Sequence, residues 1–136
     1  MSREPGITAR VLIVDDDPYI RDSISRTLTR AGCIVTAVDD GAPAIALADQ
    51  AVFDVVIVDY HMKATNGAAV VSHYKRCYGA RVYCAVLSGE DDDATRGSCL
   101  EAGADTVFAK PVPAAVLRRW VADAAQALSA ALPRSA

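Results

Sequence analysis

The feature that most constrains how this chain can fold is a short apolar run cut off by a carboxylate. Val55-Val56-Ile57-Val58 is unbroken β-branched hydrocarbon, and Asp59 follows at once. Such a run has no polar side to show to water, so it reads as a strand buried on both faces, as in a parallel sheet. A charged group right after it lies at the strand's carboxyl end, where open α/β sheets hold their ligands. The chain makes the same move three more times. Val11-Leu12-Ile13-Val14 runs into Asp15-Asp16-Asp17, the stretch 82–87 ends in Ser88, and 106–109 ends in Lys110. Carboxylates, a hydroxyl and an amine are thus set on successive strand ends.

Between these runs the pattern turns helical. Asp17-Pro18 opens a helix with proline in its first turn, Ile20, Ile24, Leu28 and Ala31 recur at helical spacing, and Gly32 stops it. A strand over 33–38 ends in Asp39-Asp40-Gly41, and Ala44, Ile45, Leu47 and Ala48 mark a short helix. Residues 63–67 are turn-rich and lead into a third helix over about 68–77, closed by Gly79. His73, among Val70, Val71 and Tyr74, reads as a surface or half-buried histidine. A fourth helix over about 91–102 opens with Asp91, Asp92 and Asp93, where acids favour the positive end of the helix dipole. Its interior Gly97 costs about 1 kcal/mol relative to alanine, which makes it the weakest helix. Pro113 opens the last helix, with Val116, Leu117, Trp120, Val121, Ala124 and Leu128 on one stripe, and Pro133 ends it.

Strand and helix alternate five times. That predicts an α/β fold, a doubly wound five-stranded parallel sheet with helices on both faces. Right-handed crossovers with one reversal after the second strand give the order 2-1-3-4-5. Strands one and three are then neighbours, so Asp15, Asp16 and Asp59 converge, with Ser88 and Lys110 on the adjoining strand ends.

A length of 136 residues suits one domain, expected over 9–132, with a loose leader over 1–8 and a tail over 133–136. The net charge of −3 argues against a surface built for direct nucleic-acid contact or anionic lipid. Cys33, Cys77, Cys84 and Cys99 form no C-x-x-C pair, which excludes a zinc site of that kind and favours reduced thiols. No apolar run approaches ~20 residues, so no membrane span is expected, and a cytoplasmic location follows.

Three carboxylates in one cleft repel one another unless a cation joins them or protons are taken up. Hard oxygen donors with room for water and phosphate suit Mg²⁺, with Mn²⁺ as a substitute. An ionised aspartate can hold a phosphoryl group as an acyl phosphate, and the transfer needs charge neutralisation more than covalent help. Mg²⁺, Lys110 and the Ser88 hydroxyl would each take one phosphoryl oxygen.

With these residues in order, the chain resembles a two-component response-regulator receiver domain. The matching segments are Val14-Asp15-Asp16-Asp17-Pro18, Val58-Asp59 with Met62 and Gly67 downstream, Leu87-Ser88-Gly89 and Lys110-Pro111, spanning about residues 9–130. The resemblance implies that Asp59 is the phosphoacceptor for a sensor histidine kinase or histidine phosphotransfer protein. It implies a signalling module that slowly dephosphorylates itself rather than a turnover enzyme. Asp16 would bind Mg²⁺ directly and Asp15 through water, with Asp59 and the backbone carbonyl of His61 as further ligands. Ser88 and Lys110 would sense the phosphoryl group, with a cis bond before Pro111. The output partner would meet the face of helix 4, strand 5 and helix 5. His61 and Glu90 would flank the path of the hydrolytic water and set the lifetime of the phosphate.

The chain departs from the family pattern in places. Lys63 stands where the family usually has proline, and Val107 where it commonly has tyrosine or phenylalanine. Phe108, one residue along, should face the opposite way by strand alternation. Val116 and Trp120 stand where receivers that dimerise through the helix 4–strand 5–helix 5 face carry an acid and an arginine, so such a dimer is not expected. Two rival readings remain at this level. Asp15-x-Asp17 with Ser88 and Lys110 is similar to a haloacid-dehalogenase-type phosphatase using Asp15, but only Asp123 follows the lysine to complete its metal site. A degenerate receiver that never takes phosphate is the other.

Overall fold

The computed structural model describes residues 6–89 and 93–131, in which strand and helix alternate as the apolar periods require. The order is β1 (Arg10–Val14), α1 (Pro18–Arg30), β2 (Ile34–Val38), α2 (Gly41–Leu47), β3 (Val55–Asp59), α3 (Gly67–Tyr78), a 3-10 turn (Gly79–Arg81), β4 (Tyr83–Ser88), α4 (Asp93–Ala102), β5 (Thr106–Ala109) and α5 (Ala114–Ala131). The strands form one parallel sheet in the order β2-β1-β3-β4-β5. The expected topology is therefore the observed one.

The sheet explains why its inner strands carry no charged residue between their first and last positions. All five residues of β3 are buried. Along the inner strands, side chains alternate between two cores. Leu12, Val14, Val56, Val58, Cys84 and Val86 face the core that also takes Val70, Val71, Tyr74 and Cys99. Val11, Ile13, Val55, Ile57, Ala85 and Leu87 face the other, closed by Leu28, Leu117, Val121 and Ala124. Each fully buried Val or Ile contributes about 1.5–3 kcal/mol, so a polar residue on either face would be costly. Edge strand β2 is only partly covered, and Ile34 is 60% exposed.

Capping fixes where the helices begin. Asp17 is the N-cap of α1, its Oδ1 accepting from the amides of Tyr19 at 2.9 Å and Ile20 at 3.4 Å, with Pro18 in the first turn. Gly32, at φ +110°, lets the chain leave α1. Helix α2 has seven residues, too few to hold alone. Two tyrosines of α3 secure it: the buried Tyr74 hydroxyl donates to the Ala44 carbonyl at 2.6 Å, and the Tyr78 hydroxyl donates to that of Ala48.

Several expectations are corrected in detail. Cys33 precedes β2 rather than opening it, and β4 runs one residue later at each end than 82–87. Val116 does not belong to the buried stripe of α5; it is 46% exposed. Val116 and Leu117 lie about 100° apart on the helix, so only one can join Val121, Ala124 and Leu128 on the inner face. Trp120 is half-buried, its ring edge-on to Tyr83 and Phe108. Val107 and Phe108 do face opposite ways, each toward a different core. Ile7, within the expected leader, donates its amide to the Ala31 carbonyl at 2.8 Å. All four cysteines are free, and only Cys77 is exposed. Residues 91–92, expected to open the fourth helix, and the stretches 1–5 and 132–136 lie outside the described residues.

Candidate functional site

The strand order sets the ends of β1 and β3 side by side, with Val14 opposite Val58. Asp15 and Asp59 come one residue later on each strand, and both are buried. Asp16, next along, is part-exposed. One carboxylate oxygen from each of Asp15, Asp16 and Asp59 lies within 4.8 Å of the others. On the far side of β3, the end of β4 supplies Ser88, also buried. The Ser88 carbonyl accepts from the Lys110 amide at 2.9 Å, which ties the end of β5 to β4. From there the Lys110 ammonium reaches Asp59 Oδ1 at 2.8 Å and stands 3.7 Å from Asp15 Oδ2. The Lys110–Pro111 bond is cis.

The electrostatics of the cluster are unbalanced. Burial pushes the Asp15 carboxyl up; the Asp17 amide on its Oδ1, at 2.9 Å, pulls it back in part, and the Asp59 charge adds to the rise. Burial pushes Lys110 down, but its hydrogen bond to Asp59 and the charges of Asp15, Asp59 and Asp16 outweigh that and hold it above the usual lysine value. Lys110 is therefore an ammonium ion, one positive charge facing three carboxylates. Asp15 Oδ2 is buried and has no hydrogen-bond donor, since Lys110 at 3.7 Å lends charge without a bond. An orphaned carboxylate oxygen beside two further hard oxygen donors fits a divalent cation such as Mg²⁺.

Two contributors escaped the sequence reading. The Arg21 guanidinium donates to the Asp15 carbonyl at 2.7 Å, from the helix that follows the acids. Gly67, read only as turn and family match, lets α3 start against the backbone of Asp59; a Cβ there would stand 2.7 Å from the Asp59 carbonyl oxygen. A glycine one turn-rich loop after a strand-end acid is a usable signal. A lone arginine inside an amphipathic helix is not. Of the expected lifetime pair, His61 is exposed, with its ring edge-on to Tyr60 at 4.8 Å, and Glu90 lies outside the described residues.

The response regulator receiver domain family model matches residues 11–122. The transcriptional regulatory protein PrrA of Mycobacterium tuberculosis is 36% identical over 109 residues, 79% of this chain and 46% of that protein. The virulence sensor protein BvgS of Bordetella bronchiseptica is 33% identical over 138 residues, 96% of this chain and 11% of that protein. The chain thus spans less than half the length of either relative. Among solved structures, the chemotaxis protein CheY4 of Vibrio cholerae is similar at a TM-score of 0.80 and 30% identity, over 86% of this chain and 98% of that one. Neither the phosphatase nor the degenerate-module reading is favoured by these matches. No helix among the described residues is long and apolar enough to cross a membrane.

Proposed function

The chain belongs to the response regulator receiver domain family of two-component signalling, and from that premise we propose that Asp59 is its phosphoacceptor. The observation that carries the reading is the buried Asp59 carboxylate, held by Lys110 at 2.8 Å within a cluster of three acids. Receiver domains exchange phosphate with histidine kinases and act on output domains. Here the donor is a histidine kinase or a histidine phosphotransfer protein charged from ATP, which puts the domain, 9–132 of the chain, in the cytoplasm. Ile7, bonded to the Ala31 carbonyl at 2.8 Å, joins that domain rather than a loose leader.

In the transfer, an Asp59 carboxylate oxygen attacks the phosphorus of a phosphohistidine. The O–P bond forms, the P–N bond breaks, and its electron pair returns to the imidazole nitrogen of the donor. Lys110 moves from Asp59 Oδ1 to a phosphoryl oxygen, and the Ser88 hydroxyl takes another. Asp16, Asp15 through water, Asp59 and the His61 carbonyl would hold Mg²⁺, or Mn²⁺ in its place. When bound, that cation would supply charge neutralisation for the phosphoryl group. His61 and Glu90 tune how readily water reaches the acyl phosphate. The module signals rather than turning over substrate, through the face of α4, β5 and α5 to a protein partner, with no direct role for nucleic acid or membrane.

The test is intact-mass analysis after acetyl phosphate treatment with Mg²⁺. A base-labile adduct of one phosphoryl group is expected, absent in Asp59→Asn and absent with EDTA. An adduct of equal yield in Asp59→Asn, or steady phosphomonoester turnover that needs Asp15, would overturn the reading.

A further inference from the structure

Arg21 sits on α1, one turn past the Asp17 cap, and lies half-buried. Its guanidinium does not point along the helix toward solvent. It turns back over the helix start and donates from Nη1 to the Asp15 carbonyl at 2.7 Å. Residue 15 is thereby held by all its polar groups but one: its amide donates to the Val38 carbonyl at 3.2 Å, its Oδ1 accepts from the Asp17 amide at 2.9 Å, and its carbonyl is taken by Arg21. The group left over is Oδ2, buried and 3.7 Å from the Lys110 ammonium.

Asp16 is in the opposite position. Among the described residues no hydrogen-bond donor holds its carboxylate, yet one of its oxygens lies within 4.8 Å of those of Asp15 and Asp59. Its aim therefore depends on the backbone that carries it, and above all on the plane of the peptide between residues 15 and 16. Arg21 holds the oxygen of that peptide. A carbonyl without this donor would be free to rotate, taking Asp16 with it, or to turn inward as a competing hard ligand for a cation. The guanidinium meets residue 15 at its carbonyl and makes no hydrogen bond to its carboxylate. Its fixed planar fork suits orientation.

We propose that Arg21 is a positioning residue of the phosphoacceptor site: by holding the Asp15 carbonyl from outside, it fixes the 15–16 peptide and aims the Asp16 carboxylate at the space shared with Asp15 and Asp59. The inference rests on the metal-assisted phosphoacceptor reading and adds a residue that does not itself touch cation or phosphate. Groups that orient metal ligands from behind typically govern about 10- to 100-fold in metal affinity.

Mn²⁺ is the probe, its binding followed by loss of the free-ion paramagnetic resonance signal, with urea denaturation in EDTA to establish that each variant is folded. Arg21→Met, which keeps the apolar stem, and Arg21→Ala should both weaken Mn²⁺ binding about tenfold or more. Arg26→Ala removes the same charge from the same helix, where Arg26 is exposed and paired with Asp22 at 3.2 Å, and should leave the affinity unchanged. Arg21→Lys keeps the charge without the fork and should recover only part of the loss. Affinity unchanged in Arg21→Met and Arg21→Ala, or fully restored in Arg21→Lys, would overturn the positioning role. Wild-type protein that binds no Mn²⁺ would instead bring down the metal-assisted reading itself, and this inference with it.

Discussion

Replacing Asp15 with asparagine should stabilise the metal-free domain while removing its response to Mg²⁺. Asp15 faces the carboxylates of Asp16 and Asp59, with closest oxygens within 4.8 Å, and the Lys110 ammonium at 3.7 Å. At an effective dielectric of ~20, each repulsion at that span costs about 3 kcal/mol and the attraction to Lys110 returns about 4 kcal/mol. Asp16 is part-exposed, so solvent screens its share by roughly half. The charge terms then nearly cancel, leaving at most about 1 kcal/mol of net repulsion. What decides the sign is Asp15 Oδ2, buried without a donor, a defect worth about 1–3 kcal/mol. Asparagine keeps the acceptor that binds the Asp17 amide and puts an N–H donor where the orphaned oxygen stood. The expected gain is about 2 kcal/mol in EDTA, a rise in Tm of roughly 5 °C or more for a domain of this size.

Thermal and urea unfolding followed by circular dichroism, with EDTA and with increasing Mg²⁺, measure both halves of that statement. Wild type should gain stability as Mg²⁺ is added, by mass action on the native state. Asp15→Asn should start higher and respond little, so the two curves approach one another as Mg²⁺ rises. A variant less stable than wild type in EDTA would refute the reasoning, because it would mean the carboxylate is already satisfied without a cation.

Other perturbations read other parts of the molecule. Gly67→Ala should destabilise by about 1–3 kcal/mol despite alanine's better helix propensity, since the new Cβ meets backbone of Asp59 and Tyr60 at 2.7 and 3.0 Å; a variant as stable as wild type in urea would remove that contact from the account. Burial pushes the Cys84 thiol up to about 12 from 9.0 and raises the Tyr74 phenol as well. The native state keeps protons there that the unfolded chain releases, so stability should be steady below about pH 9, fall above it by up to about 1.4 kcal/mol per pH unit through Cys84, and fall more steeply above about pH 10 as Tyr74 joins; urea midpoints unchanged between pH 8 and 10.5 would contradict this. His61→Ala should change the rate of phosphate loss from Asp59 severalfold with little change in stability, read as decay of the mass adduct over time; identical decay would exclude His61 from tuning the lifetime. Beryllofluoride-treated protein should sediment as a monomer, because Asp105 is committed within the chain to Lys75 at 2.8 Å and to the Cys84 amide; a tight dimer broken by Asp105→Ala would refute that.

The topology and the identity of the acids could be read from the sequence because both follow from one physical demand. A strand buried on two faces tolerates no polar residue until it ends, so Val58-Asp59 and Val14-Asp15 mark strand ends as sharply as any cap. The α5 stripe was harder, since adjacent apolar residues such as Val116 and Leu117 offer two registers and periodicity alone does not choose between them. Arg21 was out of reach for a different reason. Where a long flexible side chain goes depends on which backbone groups near it lack partners, and that is known only once the loop between β1 and α1 has a shape. Gly67 was visible as a glycine, but its purpose is the approach of α3 to the Asp59 carbonyl, a contact between elements.

The resting arrangement of Lys110 bears on how such a site can be both quiet and ready. Its ammonium already makes a charge-assisted bond to the oxygen pair that the proposed reaction uses, at 2.8 Å on Asp59 Oδ1. Arrival of a phosphoryl group need not break that interaction into solvent, because the new oxygens carry more charge than the carboxylate did and lie within a swing of the same side chain. One charge-assisted bond is exchanged for another, and the cost of moving Lys110 is correspondingly small. The anchor of that swing is the Lys110 amide on the Ser88 carbonyl, 2.9 Å away on the next strand end. Any motion of Ser88 toward a phosphoryl oxygen therefore acts on the backbone of β5 as well as on its own side chain. Lys110→Met should leave Asp59 able to accept phosphate, at reduced yield, and should remove the part of the response at β5 and α5 that travels through the ammonium on Asp59, while the amide bond to Ser88 keeps the remainder. Amide chemical shifts at Val107, Phe108 and Trp120 with and without beryllofluoride measure it: shifts as large in Lys110→Met as in wild type would show that β5 is moved by some other route.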